Sequence, residues 1–392
     1  MQRSSALKRF VTRLAMPLCL VWATQSMANP DRDVVSETKN VEDRLGPKSD
    51  LAVYWVGHSL VEQKARTEWG EISLMTLIGR FAESRGLAYR MGDHTLWGSP
   101  LSALWRGRPH GYSRDAAAMV VKREEFQANA GRYDTLVATD ALPIQGAARS
   151  EYSAYYLRRF YCALKEANPS ARVYLYQTWV NFQGNDPYSK FPPLSEFSWR
   201  DEMLAQRPAW EEVADAAAGP EVRAPGWLER FGWGTTSDGG CTIHDPIFIV
   251  PAGQALVALH DHLAARQRDD VPSLPGGSPL TMKDLFGNPY LDWPVHWPTR
   301  EDGTSIDAAD VLAGLTLRDP SRPHDDIHLS AVGIYFVSLV HFATLYRQSP
   351  VGLPVPASIG DDVAGMLQCL AWKAVVADPR SGVLGTADGC GL

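Results

Sequence analysis

The chain has 392 residues, with 45 Asp and Glu against 38 Lys and Arg. That acidic balance argues against nucleic acid or an anionic membrane surface as a partner. The length exceeds what one simple core needs and points to one large domain with insertions, or to two domains.

Residues 1–28 have the layout of an export signal. Arg3, Lys8, Arg9 and Arg13 come without an acid, residues 14–23 are apolar, and Ser26, Met27 and Ala28 resemble a small-residue cleavage site. The apolar stretch is too short for a permanent bilayer span. A periplasmic or secreted protein is expected, with no stable membrane insertion after cleavage. Cys19 follows Pro17 and Leu18 rather than small residues, so no lipid attachment is expected there. Without the leader, 34 basic residues face 45 acidic ones, a net charge near −11. Four cysteines remain, Cys162, Cys241, Cys369 and Cys390. An oxidising compartment permits two disulfides in any of three pairings. Their spacing matches no zinc motif.

Residues 29–50 are polar with little periodicity and read as a flexible lead. Residues 51–56 form an apolar run of strand length. Residues 71–85 then place Leu74, Ile78 and Phe81 on one helical stripe, with Gly86 as a C-cap. Residues 133–138 read as the next strand, and residues 151–167 as a helix stopped by Asn168 and Pro169. The stretch "ARVYLYQTW" is a strand. A further strand ends at Val250, and Pro251 opens a helix carrying Leu256, Leu259 and Leu263 on one face. Residues 330–347 give an amphipathic helix with Val332, Phe336, Leu339 and Ala343 inward, and residues 361–377 one more helix. Strands alternating with helices predict an α/β fold, a mostly parallel sheet between two helical layers, with the site beyond the carboxyl ends of the strands. Residues 183–240 and 270–323 do not fit the alternation and read as insertions. Residues 51–348 would then be the catalytic domain, and 349–392 a C-terminal extension.

Two short motifs carry chemistry. In "VYWVGHSLVEQ", Ser59 stands where the first strand ends, the place for an active-site group in this architecture. Read alone it is equally a helix cap, and Val61 stands where a GxSxG elbow would need glycine. In "HDDIHLSAVGIYF", Asp325 and His328 can supply the acid and the base that a serine nucleophile requires. Asp325 or Asp326 could instead cap the following helix.

Together these motifs resemble the SGNH (GDSL-type) hydrolase family. "GHS" at 57–59 is similar to its first block, with His58 in place of the usual acidic or amide residue, and "DDIHLS" to its last block. "GSPL" at 98–101 is similar in position to the second block, whose glycine amide helps form the oxyanion hole. The resemblance implies a three-layer α/β/α fold of flavodoxin-like type, with insertions, and a triad of Ser59, His328 and Asp325. It also implies an oxyanion hole from the Ser59 and Gly98 amides. The third block departs from the family pattern: "LVATDALP" offers Thr139 or Asp140 where an asparagine amide is expected. The Thr139 hydroxyl could donate in its place; an ionised Asp140 could not. Asn181 is another candidate donor.

His260 and His262 are two apart on a helix and face different directions, so no metal is expected, and no cofactor. The chain is rich in tryptophan outside periodic stripes, including Trp97, Trp105, Trp179, Trp199, Trp293 and Trp297. Indole faces suit stacking on sugar rings, and Trp97, Trp293 and Trp297 are the candidate substrate-binding residues. The expected activity is an exported serine esterase acting on an acylated carbohydrate. The alternatives are a polysaccharide O-acyltransferase with the same chemistry, or a carbohydrate-binding protein that keeps the fold without turnover.

Overall fold

The computed structural model describes residues 46–108, 116–182, 198–226, 241, 245–267, 270–286, 327–386 and 390. The first strand, β1 (Asp50–Gly57), is the predicted apolar run. Successive side chains of a strand alternate, so Leu51, Val53 and Trp55 enter one core while Tyr54 and Val56 enter another. A strand buried on both faces needs apolar residues throughout.

The short helix α1 (Ser59–Glu62) follows, then an antiparallel hairpin of β2 (Lys64–Thr67) and β3 (Gly70–Ser73), and helix α2 (Leu74–Ser84). Helical spacing predicted a start at residue 71. Residues 71–73 instead pair with β2, and Ser73 Oγ accepts from the Thr76 amide at 3.2 Å, so the cap places the helix start at Leu74. Gly86, with φ +67, lies just past the end of α2, in the left-handed conformation that follows many helices.

The chain continues through β4 (Ala88–Thr95), α3 (Leu101–Arg106), α4 (Ala116–Asn129) and β5 (Thr135–Ala138). Next come α5 (Ile144–Ser150), α6 (Ser153–Ala167), β6 (Arg172–Tyr176), α7 (Trp199–Ala218), β7 (Phe248–Val250) and α8 (Ala252–Ala264). A small hairpin, β8 (Ser273–Leu274) with β9 (Ser278–Pro279), precedes the long helices α9 (Ala331–Tyr346) and α10 (Asp361–Ala377).

The main sheet has the order β4-β1-β5-β6-β7, every pair parallel. The chain builds outward from β1 to β4, then returns to the other side of β1 with β5. This reversal puts the topological switch point between β1 and β5, where open parallel sheets hold their ligands.

Helices cover both faces, giving three layers. Residues of α2, α8, α9 and α10 pack on the face that carries Trp55, Val137, Tyr174 and Tyr176. Residues of α3, α4, α5 and α6 pack on the face that carries Val56, Leu136, Ala138, Val173 and Leu175. α7 lies within the segment read as the first insertion. It contributes Trp199 and Met203 to the first core and Trp210, Val213, Ala214 and Ala217 to the second. The amphipathic reading of α9 is corrected: every residue from Val332 to Tyr346 is buried. α2 and α10 flank it on the sheet, so no polar face is needed.

The cysteines pair as Cys162–Cys241 and Cys369–Cys390. Among the described residues no helix is long and apolar enough to cross a membrane.

Candidate active site

Gly57 ends β1 and cannot carry a side chain. A Cβ there would lie 2.7 Å from Thr139 Cγ2 and 2.9 Å from Val61 Cγ2. The close approach of β1 and β5 at their carboxyl ends therefore fixes glycine at this position. His58 follows as the N-cap of α1, with Nδ1 accepting from the Leu60 amide at 3.4 Å and Nε2 donating to the Asp140 carbonyl at 2.9 Å. These two bonds set its tautomer. Burial pushes His58 down to about 4, against the Asp140 bond and with some help from His328, so the ring is neutral at physiological pH.

Ser59 is the first residue of α1, at the switch point. His328 Nε2 lies 2.8 Å from Ser59 Oγ, across 269 residues of sequence. His328 is buried and precedes α9, whose cap is Ser330, with Ser330 Oγ accepting from the Gly333 amide at 3.3 Å. The backbone around His328 is held on three sides. Trp179 Nε1 donates to the Ile327 carbonyl at 2.7 Å, the Leu329 amide donates to Gln63 Oε1 at 2.7 Å, and the Ser330 amide donates to the Leu285 carbonyl at 2.9 Å.

Gly98 lies in a turn closed by the Ser99 amide on the Leu96 carbonyl at 3.1 Å, and the turn is tied to β1 by the Leu96 amide on the Gly57 carbonyl at 3.0 Å. Gly98 has φ +64 at the third position of this turn, where glycine is favoured. Among the described residues, neither the Ser59 nor the Gly98 amide donates to another group. Backbone donors left unengaged at a helix start are available to an anion. Trp97, in the same turn, lays its indole against His328, with ring centroids 5.8 Å apart and planes 25° apart.

Asp140 is fully buried past the end of β5, and its Oδ1 accepts from the Leu101 amide at 2.9 Å and the Ala141 amide at 2.8 Å. It therefore ties the third motif to the start of α3, immediately after the second. Burial pushes its carboxyl up to about 6, even though those amides favour the charged form. Thr139 donates its amide to the Val56 carbonyl at 3.0 Å, and its hydroxyl is buried with no partner among the described residues. Asn181 lies beyond β6 and is half-buried. Asp325, Trp293 and Trp297 lie outside the described residues, and so does Asp326.

The structure thus brings Ser59, His328 and Trp97 together. Sequence reasoning missed Gln63 and Trp179, which act on backbone groups far along the chain and carry no motif. It also placed Trp105, Trp179 and Trp199 among sugar-stacking candidates, whereas all three are buried core residues. Among the described residues no cluster of three His, Cys, Asp or Glu side chains could hold a metal ion.

No family model and no curated protein sequence matches the chain. Among solved structures it is similar to a DUF4886 family protein from Bacteroides uniformis, at TM-score 0.43 and 14% identity, over 84% of this chain and 95% of that one. An acetylxylan esterase from Geobacillus stearothermophilus gives a TM-score of 0.30 at 11% identity, over 60% of this chain and 90% of that one. A GDSL-like lipase from Parabacteroides merdae gives 0.29 at 12% identity, again over 60% and 90%.

Proposed function

We propose that this chain is an exported serine-dependent acyl ester hydrolase of SGNH type that removes a short acyl group, acetyl in the simplest case, from a carbohydrate. The observation that carries this reading is the 2.8 Å separation of Ser59 Oγ and His328 Nε2 at the switch point of the sheet. A serine hydroxyl becomes a useful nucleophile at neutral pH when a base stands within hydrogen-bond reach.

In this mechanism Ser59 Oγ attacks the ester carbonyl carbon while its proton passes to His328 Nε2. The carbonyl oxygen gains the electron pair and is received by the Ser59 and Gly98 amides. Collapse of the tetrahedral intermediate breaks the bond to the sugar oxygen, which leaves with the proton from His328. Water then attacks the acyl-enzyme with His328 again as base, releasing the carboxylic acid and restoring Ser59. Asp325 would orient the imidazole through its other nitrogen. The half-buried indole of Trp97 offers a flat apolar face beside the reacting groups, suited to a sugar ring.

The test is acetate release from a panel of O-acetylated oligosaccharides by the mature protein and by Ser59→Ala. Release by the wild type and none by the variant is expected. A folded wild type that releases no acetate from the panel or from p-nitrophenyl acetate would overturn the reading.

A further inference from the structure

Gln63 closes a ring that contains both reacting side chains. Its amide donates to the Ser59 carbonyl at 2.7 Å, as the residue that caps α1. Its side-chain Oε1 accepts from the Leu329 amide at 2.7 Å, and its Nε2 donates to the Leu60 carbonyl at 3.1 Å. The residue before Leu329 is His328, whose Nε2 returns to Ser59 Oγ at 2.8 Å. Because the Leu329 amide can only donate and the Leu60 carbonyl can only accept, one orientation of the Gln63 amide satisfies both. The side chain is 1% exposed, so water cannot replace either bond.

The other anchors of the His328 segment run elsewhere. Trp179 ties Ile327 to the segment after β6, and Leu285 ties Ser330 to a one-turn helix, Met282–Leu285. Among the described residues, Gln63 alone joins the His328 segment through its backbone to the helix that carries Ser59.

We infer that Gln63 is a positioning residue: its carboxamide sets the distance between Ser59 Oγ and His328 Nε2 by locking α1 to the backbone at Leu329. The catalytic meaning of this strut rests on the hydrolase reading, but the strut itself is a statement about geometry. Ser59 and His328 come from segments 269 residues apart, and a near-attack geometry depends on a fixed separation. Gln63→Met keeps the approximate volume and removes both side-chain bonds. Gln63→Glu keeps an acceptor for Leu329, sets a carboxylate oxygen against the Leu60 carbonyl and adds a negative charge near His328.

The experiment measures the rate of Ser59 labelling by a fluorophosphonate across pH for the wild type, Gln63→Met, Gln63→Glu and Gln368→Met. Gln368 is a matched control in α10. It is a buried glutamine that accepts from the Gly352 amide at 2.7 Å and donates to the Leu353 carbonyl at 2.9 Å, away from Ser59. Gln63→Met is expected to slow labelling about 10²-fold, the scale of loss for an ångström of misplacement. Gln63→Glu is expected to fall between, with its labelling limb displaced to higher pH because a nearby carboxylate favours the imidazolium. Gln368→Met is expected to lose thermal stability and label at the wild-type rate.

Wild-type labelling by a folded Gln63→Met would overturn the strut and leave the hydrolase reading standing. A comparable slowing in Gln368→Met would also overturn it, since general loosening would then suffice. Should the wild type fail to label, the hydrolase reading falls and a crystal structure of the Gln63 variant judges the strut: Ser59 Oγ and His328 Nε2 beyond hydrogen-bond distance uphold it, and an unchanged separation refutes it. If Gln63→Met does not fold, Gln63→Glu takes its place in each comparison.

Discussion

His58 Nε2 donates to the backbone carbonyl of Asp140 at 2.9 Å, tying the residue before Ser59 to the end of β5. The Asp140 carboxylate in turn receives the Leu101 amide at the start of α3. Three segments that carry the motif residues are thus joined by two side chains, both buried and neither at an acid–base position of the proposed reaction. His58 fills the place of an acidic or amide residue by using one nitrogen as an acceptor and the other as a donor.

Asp140 carries a stability cost at neutral pH. Its folded-state value, raised by burial to about 6, lies above the ordinary value of 3.8. Stability from the neutral carboxyl is therefore fully present below pH 3.8 and is lost as pH rises through about 6. Asp140→Asn keeps an oxygen for the Leu101 and Ala141 amides and removes the buried charge. The variant is expected to be more stable than the wild type at pH 8, by about 1–3 kcal/mol, and no more stable at pH 4. Thermal melts at the two pH values check this; equal or lower stability at pH 8 would contradict it.

Three histidines act in the opposite sense. Burial holds His58 and His94 down at about 4 and His341 at about 3, against an ordinary value of 6.5. Both His94 ring nitrogens and His341 Nε2 are buried with no hydrogen-bond partner among the described residues. The unfolded chain takes up these protons first, so stability is full above pH 6.5 and falls as pH drops toward 4. Each histidine contributes a slope of up to about 1.4 kcal/mol per pH unit, and above pH 6 Asp140 offsets little of it. Chemical denaturation from pH 7 to 4.5 is expected to show declining stability, with a shallower decline in His94→Gln. A flat or rising profile would contradict this.

Gly57→Ala tests the approach of β1 to β5. The added methyl meets Thr139 Cγ2 and Val61 Cγ2 at under 3 Å, and both belong to buried residues. Overpacking of this kind costs about 1–3 kcal/mol. It also pushes on α1 from below, so loss of Ser59 labelling is expected to exceed what the drop in melting temperature explains. Thr139→Ser in the same background removes the clashing methyl and is expected to restore part of both.

The architecture and the reacting pair differ in how far sequence revealed them. β1, β5, β7 and α10 are marked by local signals: apolar runs, a helical stripe and flanking polar residues. Ser59 and His328 stand at the ends of such elements, so motif order alone predicted that they belong together. α9 was misread because its stripe of Val332, Phe336, Leu339 and Ala343 is one face of a helix buried all round. The β2–β3 hairpin was missed because Glu71, Ile72 and Ser73 precede a helical stripe without a break. Gln63 and Trp179 were invisible for a different reason. Each acts on the backbone of a segment at least 148 residues away, and no local pattern encodes that.

The most direct test is to treat the mature protein with a fluorophosphonate and locate the adduct by peptide mass spectrometry, with Ser59→Ala and His328→Ala alongside. An adduct on Ser59, absent in Ser59→Ala and slowed at least about 10³-fold in His328→Ala, is the expected result. A folded wild type that forms no adduct between pH 6 and 9, or one labelled equally well without His328, would contradict an activated serine at this site.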